Sequence, residues 1–135
     1  MNILRLDHLV LTVEDLDTTV RFYENVLDME ARAFDAGRIA LHFGDQKINL
    51  HVVGKLIEPR AAQATVGSAD LCFITDTPVA EVLKRLADEG VAVEKGPTAQ
   101  TGALGPMTSV YFRDPSGNLI EVANYDETPP GEPQS

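Results

Sequence analysis

Thiols are nearly absent from this sequence: among 135 residues Cys72 is the single cysteine. An intrachain disulfide is thereby excluded, and such usage suits a reducing compartment. Basic residues are scarce as well. Eleven Lys and Arg stand against 21 Asp and Glu, a net charge of −10. Binding to nucleic acid or to an anionic membrane through charge requires a basic surface, so neither is expected as a partner. No apolar run approaches the roughly 18 residues of a membrane span. The opening stretch from Met1 to Asp7 has no signal-peptide pattern and leads into a strand, so the cytoplasm is the expected location. What is present is a 44% hydrophobic chain with periodic segments, long enough for one domain with a true core.

One stretch organises the rest. Phe112 to Asn124 reads as strand, tight turn, strand. Within the turn Asp114-Pro115-Ser116-Gly117-Asn118, Pro fixes φ, Gly tolerates positive φ, and Asp can close an Asx-type hydrogen bond. The strand after it alternates: Leu119, Glu121 and Ala123 share one face, Ile120 and Val122 the other. A carboxylate inside an apolar strand is costly to bury unless it is paired, protonated or bound to a metal, and otherwise belongs on an exposed edge.

Upstream, Leu6 to Val13 is a strand, with His8, Val10 and Thr12 on one face. Asp15 caps a helix whose apolar stripe is Leu16, Val20, Tyr23 and Leu27; Phe22 and Tyr23 fit core packing. Strands follow over Met29–Phe34, Arg38–Phe43 and Lys47–Val53, joined by turns at Asp35-Ala36-Gly37 and Gly44-Asp45. Residues 54–68 form a long polar connection between two half-domains. Ala69–Thr75 is the next strand, then a helix opened by Thr77-Pro78 with the stripe Val79, Val82, Leu83 and Leu86. A short strand at Val91–Glu94, a loop over 95–105, and strands at Met107–Phe112 and Asn118–Asn124 complete the pattern. Residues 126–135 read as a disordered tail.

The order is therefore β-α-β-β-β twice, an α+β fold of two βαβββ modules (about 4–53 and 69–125, linker 54–68) within one domain, 1–125. Internal repetition of this kind is informative in itself. It pairs His8 with Asp70 in the opening strands and His51 with Glu121 in the closing ones. Two imidazoles with one or two carboxylates suit a divalent transition metal. Taken singly, each of these residues is equally compatible with a hydrogen-bonded structural role.

At Leu6-Asp7-His8-Leu9-Val10-Leu11-Thr12-Val13, at Phe22-Tyr23 with Val26-Leu27, and at Tyr111-Phe112-Arg113-Asp114-Pro115-Ser116-Gly117-Asn118-Leu119-Ile120-Glu121, the sequence resembles the vicinal oxygen chelate superfamily. That group includes glyoxalase I, fosfomycin-resistance thiol transferases, extradiol dioxygenases and bleomycin-resistance proteins. The segments at 43–51, 67–73 and 101–109 resemble the branch called glyoxalase domain-containing protein 5. The resemblance implies an open, barrel-like arrangement of eight strands around a metal cleft. It implies one divalent metal (Zn, Ni, Mn, Co or Fe(II)) on His8, His51 and Glu121, with Glu121 or Asp70 as base, and a homodimer. Asp70 departs from the family, which usually has His at that place. The implied activity is a metal-dependent lyase or isomerase of glyoxalase I type on a small oxygenated or thiol-adduct substrate, through an enediolate-like intermediate. An Fe(II) extradiol-type dioxygenase and a metal-free drug-binding protein are the alternatives. His42, Thr101, Thr108 and Arg113 are weaker substrate-contact candidates, Arg113 being equally ordinary strand polarity beside the turn. Cys72 reads as a buried, inert thiol.

Overall fold

In the computed structural model, residues 1–128 are described; most of the expected disordered tail, 129–135, lies outside them. The described chain forms two compact units. One contains Met1–Ala69 with Pro115–Gly117, the other Asp70–Asp114 and the residues from Asn118 onward.

The first unit runs β1 (His8–Val13), α1 (Leu16–Leu27), β2 (Glu30–Phe34), β3 (Arg38–Phe43) and β4 (Gln46–Val52). Its four strands make one mixed sheet in the order β1-β4-β3-β2, with β1 parallel to β4. The helix starts where the sequence says it should. Asp15 is the N-cap and its carboxylate accepts from the Thr18 N–H at 2.8 Å, satisfying one of the orphan donors of the first turn. Its buried residues are Thr19, Tyr23 and Val26, so the stripe sits slightly off the expected Leu16, Val20 and Leu27. Alternation on β4 does the rest. Ile48 and Leu50 turn to the apolar side with Leu11, Val13 and Leu41, while Asn49 and His51 turn to the other, and all are buried. Each such aliphatic side chain removed from water contributes roughly 1.5–3 kcal/mol.

The second unit repeats the order as β5 (Asp70–Ile74), α2 (Val79–Asp88), β6 (Lys95–Gly102), β7 (Gly105–Arg113) and β8 (Leu119–Tyr125). Its sheet is β5-β8-β7-β6, again with the first and last strands parallel. Leu86, Val110, Phe112, Ile120 and Val122 form its core. The Asp114–Asn118 turn closes as expected. The Asn118 N–H bonds to Asp114 Oδ1 at 3.0 Å, its Nδ2 to Oδ2 at 2.9 Å, and Gly117 takes φ 88°.

Three expectations fail locally. The stretch 95–102 is a strand, not a loop, and 91–94 is not one. Thr98 and Thr101 alternate along a ladder to β7 after an irregularity between Lys95 and Thr98, and that pairing overrides the turn-like Gly and Pro of the segment. The second helix has no local cap: Pro78 is its N-cap and makes no side-chain bond. Asn124 on β8 caps it from a distance, its Oδ1 accepting from the Val79 N–H at 2.9 Å. Finally, Asp126 does not begin a loose tail. Its N–H bonds to the Pro106 carbonyl at 3.0 Å and its carboxylate accepts from Thr108 Oγ1 at 2.8 Å.

Candidate functional site

Each sheet has one face toward its apolar core and one lined with polar groups, and the strand registers fix which residue belongs where. In the first unit β1 pairs His8 with Lys47, Val10 with Asn49 and Thr12 with His51. On the other side of β4, His42 lies opposite Lys47 and Ala40 opposite Asn49. One polar face therefore carries His8, Lys47 and His42 in one row and Thr12 and His51 in another, with Asn49 between. His8 and His51 are not neighbours: four residues separate their rows, roughly 13 Å along the strands.

His8 is about half exposed and its Nδ1 bonds to Asp7 at 2.8 Å. That carboxylate fixes the ring and leaves Nε2 available, the arrangement that prepares a histidine for a metal. His51 is buried, 5% exposed, and its Nε2 meets Arg38 Nη2 at 3.4 Å. Burial and then the Arg38 charge lower its pKa, favouring the neutral ring. A neutral imidazole is the metal-binding form, but this nitrogen accepts from a guanidinium, and a second cation there would meet the first. His51 is thus a poor fit to the ligand role expected for it. Asn49, 4% exposed, has a buried Oδ1 with no hydrogen-bond partner.

In the second unit Cys72 pairs with Glu121 across β5 and β8, and Tyr111 pairs with Glu121 across β7. Glu121 thus lies between a thiol and a phenol. Burial first, and then the Glu121 charge and hydrogen bond, push the Cys72 thiol up to about 11 and raise Tyr111. Both groups stay protonated near neutrality, with the carboxylate beside them on the ladder. Glu121 Oε2 is buried without a hydrogen-bond partner. Asp70 is exposed, lies diagonally across the ladder, and acts on Cys72, Tyr111 and Arg113 through charge. Cys72 keeps an exposed surface and is not the buried thiol expected; partial withdrawal of its sulfur from water, then the Glu121 charge, keep it inert.

The registers also correct the repeat. His8 faces Lys47 as Asp70 faces Leu119, and Val10 faces Asn49 as Cys72 faces Glu121. The counterpart of Glu121 is therefore Asn49, not His51, whose counterpart is Ala123. A signal existed: Asn49 follows the turn glycine Gly44 by five residues and Glu121 follows Gly117 by four, against seven for His51. Thr101 and Thr108 fall on the face opposite Glu121, beside Pro106 and Asn124 in the ladders. Thr108 is occupied by Asp126. Arg113 makes a two-pronged bond to Glu94, 3.0 Å at each prong, which matches the reading of ordinary strand polarity. Among the described residues no three His, Cys, Asp or Glu side chains are grouped so as to hold an ion. Asn49 Oδ1 in the first unit and Glu121 Oε2 in the second are each buried without a hydrogen-bond partner.

The chain belongs to the Glyoxalase/Bleomycin resistance protein/Dioxygenase superfamily, whose model matches residues 5–122. More particularly, it is 53% identical to Virulence protein STM3117 of Salmonella typhimurium over 90% of this chain and 84% of that one. The crystal structure of that protein superposes with a TM-score of 0.91, covering 93% of this chain and 99% of that one. It is 46% identical to Glyoxalase domain-containing protein RDO1 of Mycosarcoma maydis, over 94% of this chain and 72% of that one. An integron cassette protein from the mobile metagenome of V. cholerae is 60% identical, with a TM-score of 0.91 over 93% of this chain and 98% of that one. No helix among the described residues is long and apolar enough to cross a membrane.

Proposed function

We propose that this protein is a metal-dependent lyase or isomerase of glyoxalase type, acting by proton transfer on a small oxygenated or thiol-adduct substrate. The observation that carries the reading is Glu121: a carboxylate in mid-sheet, paired on the ladders with a thiol and a phenol, with one oxygen buried and unpartnered. Such an oxygen is a ready acceptor for a proton α to a carbonyl. The raised pKa values of Cys72 and Tyr111 keep them from competing as bases. A divalent transition metal bound at Glu121 would contribute by polarising the substrate oxygens. Asp70, exposed on the same face as Glu121, is the second candidate base.

Solvent-deuterium exchange into α-hydroxy ketones, hemithioacetals and acyl thioesters tests this. With metal supplied, the native protein exchanges at least one of these classes. Glu121→Gln lowers that rate by about 10²–10⁴-fold, the usual size of a general-base contribution. Exchange undiminished in Glu121→Gln would overturn the assignment. Absence of exchange, together with Fe(II)-dependent oxygen uptake on catechols, would replace it with the dioxygenase reading.

Each sheet ends on two edge strands, β1 and β2 or β5 and β6. Val10 on β1 and Ile74 on β5 are exposed. Covered edges are the rule in soluble sheets, so we also propose a homodimer; sedimentation at micromolar concentration showing monomer alone would reject it. A cytoplasmic location remains part of this proposal and rests on cysteine usage.

A further inference from the structure

The arginines of this protein differ in what neutralises them. Arg32 has Glu30 at 2.8 Å, Arg60 has Glu58 at 3.1 Å, and Arg113 has Glu94 at 3.0 Å. Arg38, at the start of β3, has no carboxylate partner among the described residues. Its Nη2 faces the His51 ring at 3.4 Å and its Cζ lies 4.7 Å from the centre of the Phe34 ring. Its Nε is buried with no hydrogen-bond partner. A guanidinium carries five donors in a rigid planar fork, and leaving one of them dry and unpaired costs stability.

A second cation stands close by. Lys47 Nζ lies 3.9 Å from the centre of the same Phe34 ring. An aromatic face attracts each cation but does not cancel the repulsion between the two. The chain carries ten excess negative charges, so a general shortage of carboxylates does not explain why this face has kept two cations on one ring. The group that would turn this arrangement favourable is an anion with two oxygens matching the Arg fork, with Lys47 supplying a second positive charge and Phe34 an apolar wall.

We propose that the polar face of the first sheet is an oxyanion-binding site, centred on Arg38 with Lys47 and Phe34, for the carboxylate or phosphoryl end of a small organic acid. His51 belongs to this site as the acceptor that orients the Arg38 fork. The proposal concerns what this face binds and is independent of what Glu121 does.

The test is direct binding to the full chain, freed of metal by dialysis and held at low salt. The probes are acetate, methylphosphonate and inorganic phosphate, each followed through the Arg38 Nε–Hε resonance, with chloride as the control. At least one probe binds saturably and moves that resonance; acetate against the two phosphorus acids tells carboxylate from phosphoryl preference. Arg38→Gln weakens binding about tenfold or more, and Arg38→Lys does nearly the same, because a point charge lacks the fork. Lys47→Met weakens it about threefold and reduces its salt dependence. No saturable binding by any probe, or binding retained by both Arg38→Gln and Lys47→Met, overturns the proposal. Thermal melting checks that each variant folds. Should Arg38→Gln fail to fold, Lys47→Met and the Arg38 resonance of the native chain decide the matter by the same criteria.

Discussion

The two modules share an element order, a strand order and a register, yet they present opposite chemistry on the face away from the core. The first keeps a guanidinium with no carboxylate partner, Arg38, beside Lys47 and His51. The second keeps a carboxylate with an unpartnered oxygen, Glu121, beside Cys72 and Tyr111. At the equivalent position the first module has only the neutral amide of Asn49. A repeated backbone thus fixes places without fixing roles. The apolar faces remain interchangeable because burial asks only for volume and shape, whereas polar positions on the same places are free to carry different chemistry.

The modules can be set against each other experimentally. Ile48 and Ile120 occupy equivalent ladder positions and both are fully buried. Ile48→Ala and Ile120→Ala should each cost about 2–5 kcal/mol in urea denaturation, as large-to-small changes in a tight core do. Similar losses would confirm that the cores are equivalent. One variant near zero would show that its module contributes little to the measured stability.

Capping differs next. Helix α1 is capped by its own Asp15, and α2 by Asn124 on a distant strand. Asp15→Ala should cost about 1 kcal/mol. Asn124→Ala should cost roughly 2–3 kcal/mol, because its Nδ2 also bonds the Thr75 and Thr77 carbonyls, each at 2.9 Å, and those acceptors would be stranded. Equal losses in thermal melts would contradict the difference in design.

A smaller effect probes the second module's polar face. Alkylation of Cys72 by iodoacetamide should be slow at pH 8 and rise toward a midpoint of about 11. Its raised pKa means the folded site prefers the protonated thiol. Removing the Glu121 charge favours the thiolate, so Glu121→Gln should move the profile to lower pH and speed alkylation several-fold at pH 8. An unmoved profile would separate the two side chains. Smallest is a change on the first module's β2–β3 turn, where Ala36 has φ 59°. Ala36→Gly should stabilise by about 0.5–1 kcal/mol by removing the left-handed penalty of a Cβ. A loss in thermal melting would mean that the flexibility of glycine outweighs the relieved strain.

The sequence by itself determined the paired βαβββ order, the caps and turns made by near neighbours such as Asp15 with Thr18 and Asp114 with Asn118, and the face on which His8, His51 and Glu121 lie. These follow from alternation, helical spacing and short-range hydrogen bonds, which act within a few residues. The structure alone decided what depends on register and on long side chains crossing between strands. It made Asn49 the counterpart of Glu121, because pairing is set by the whole ladder and a shift of two residues leaves the alternation unchanged. It turned 95–102 into a strand, because the ladder to β7 outweighs local turn propensity. It brought Asn124 to the start of α2 across 45 residues. And it gave Arg38, which the sequence places only at the start of a strand, a buried Nε against His51 and Phe34, because a side chain that long takes its neighbours from the adjoining strands rather than from its own segment.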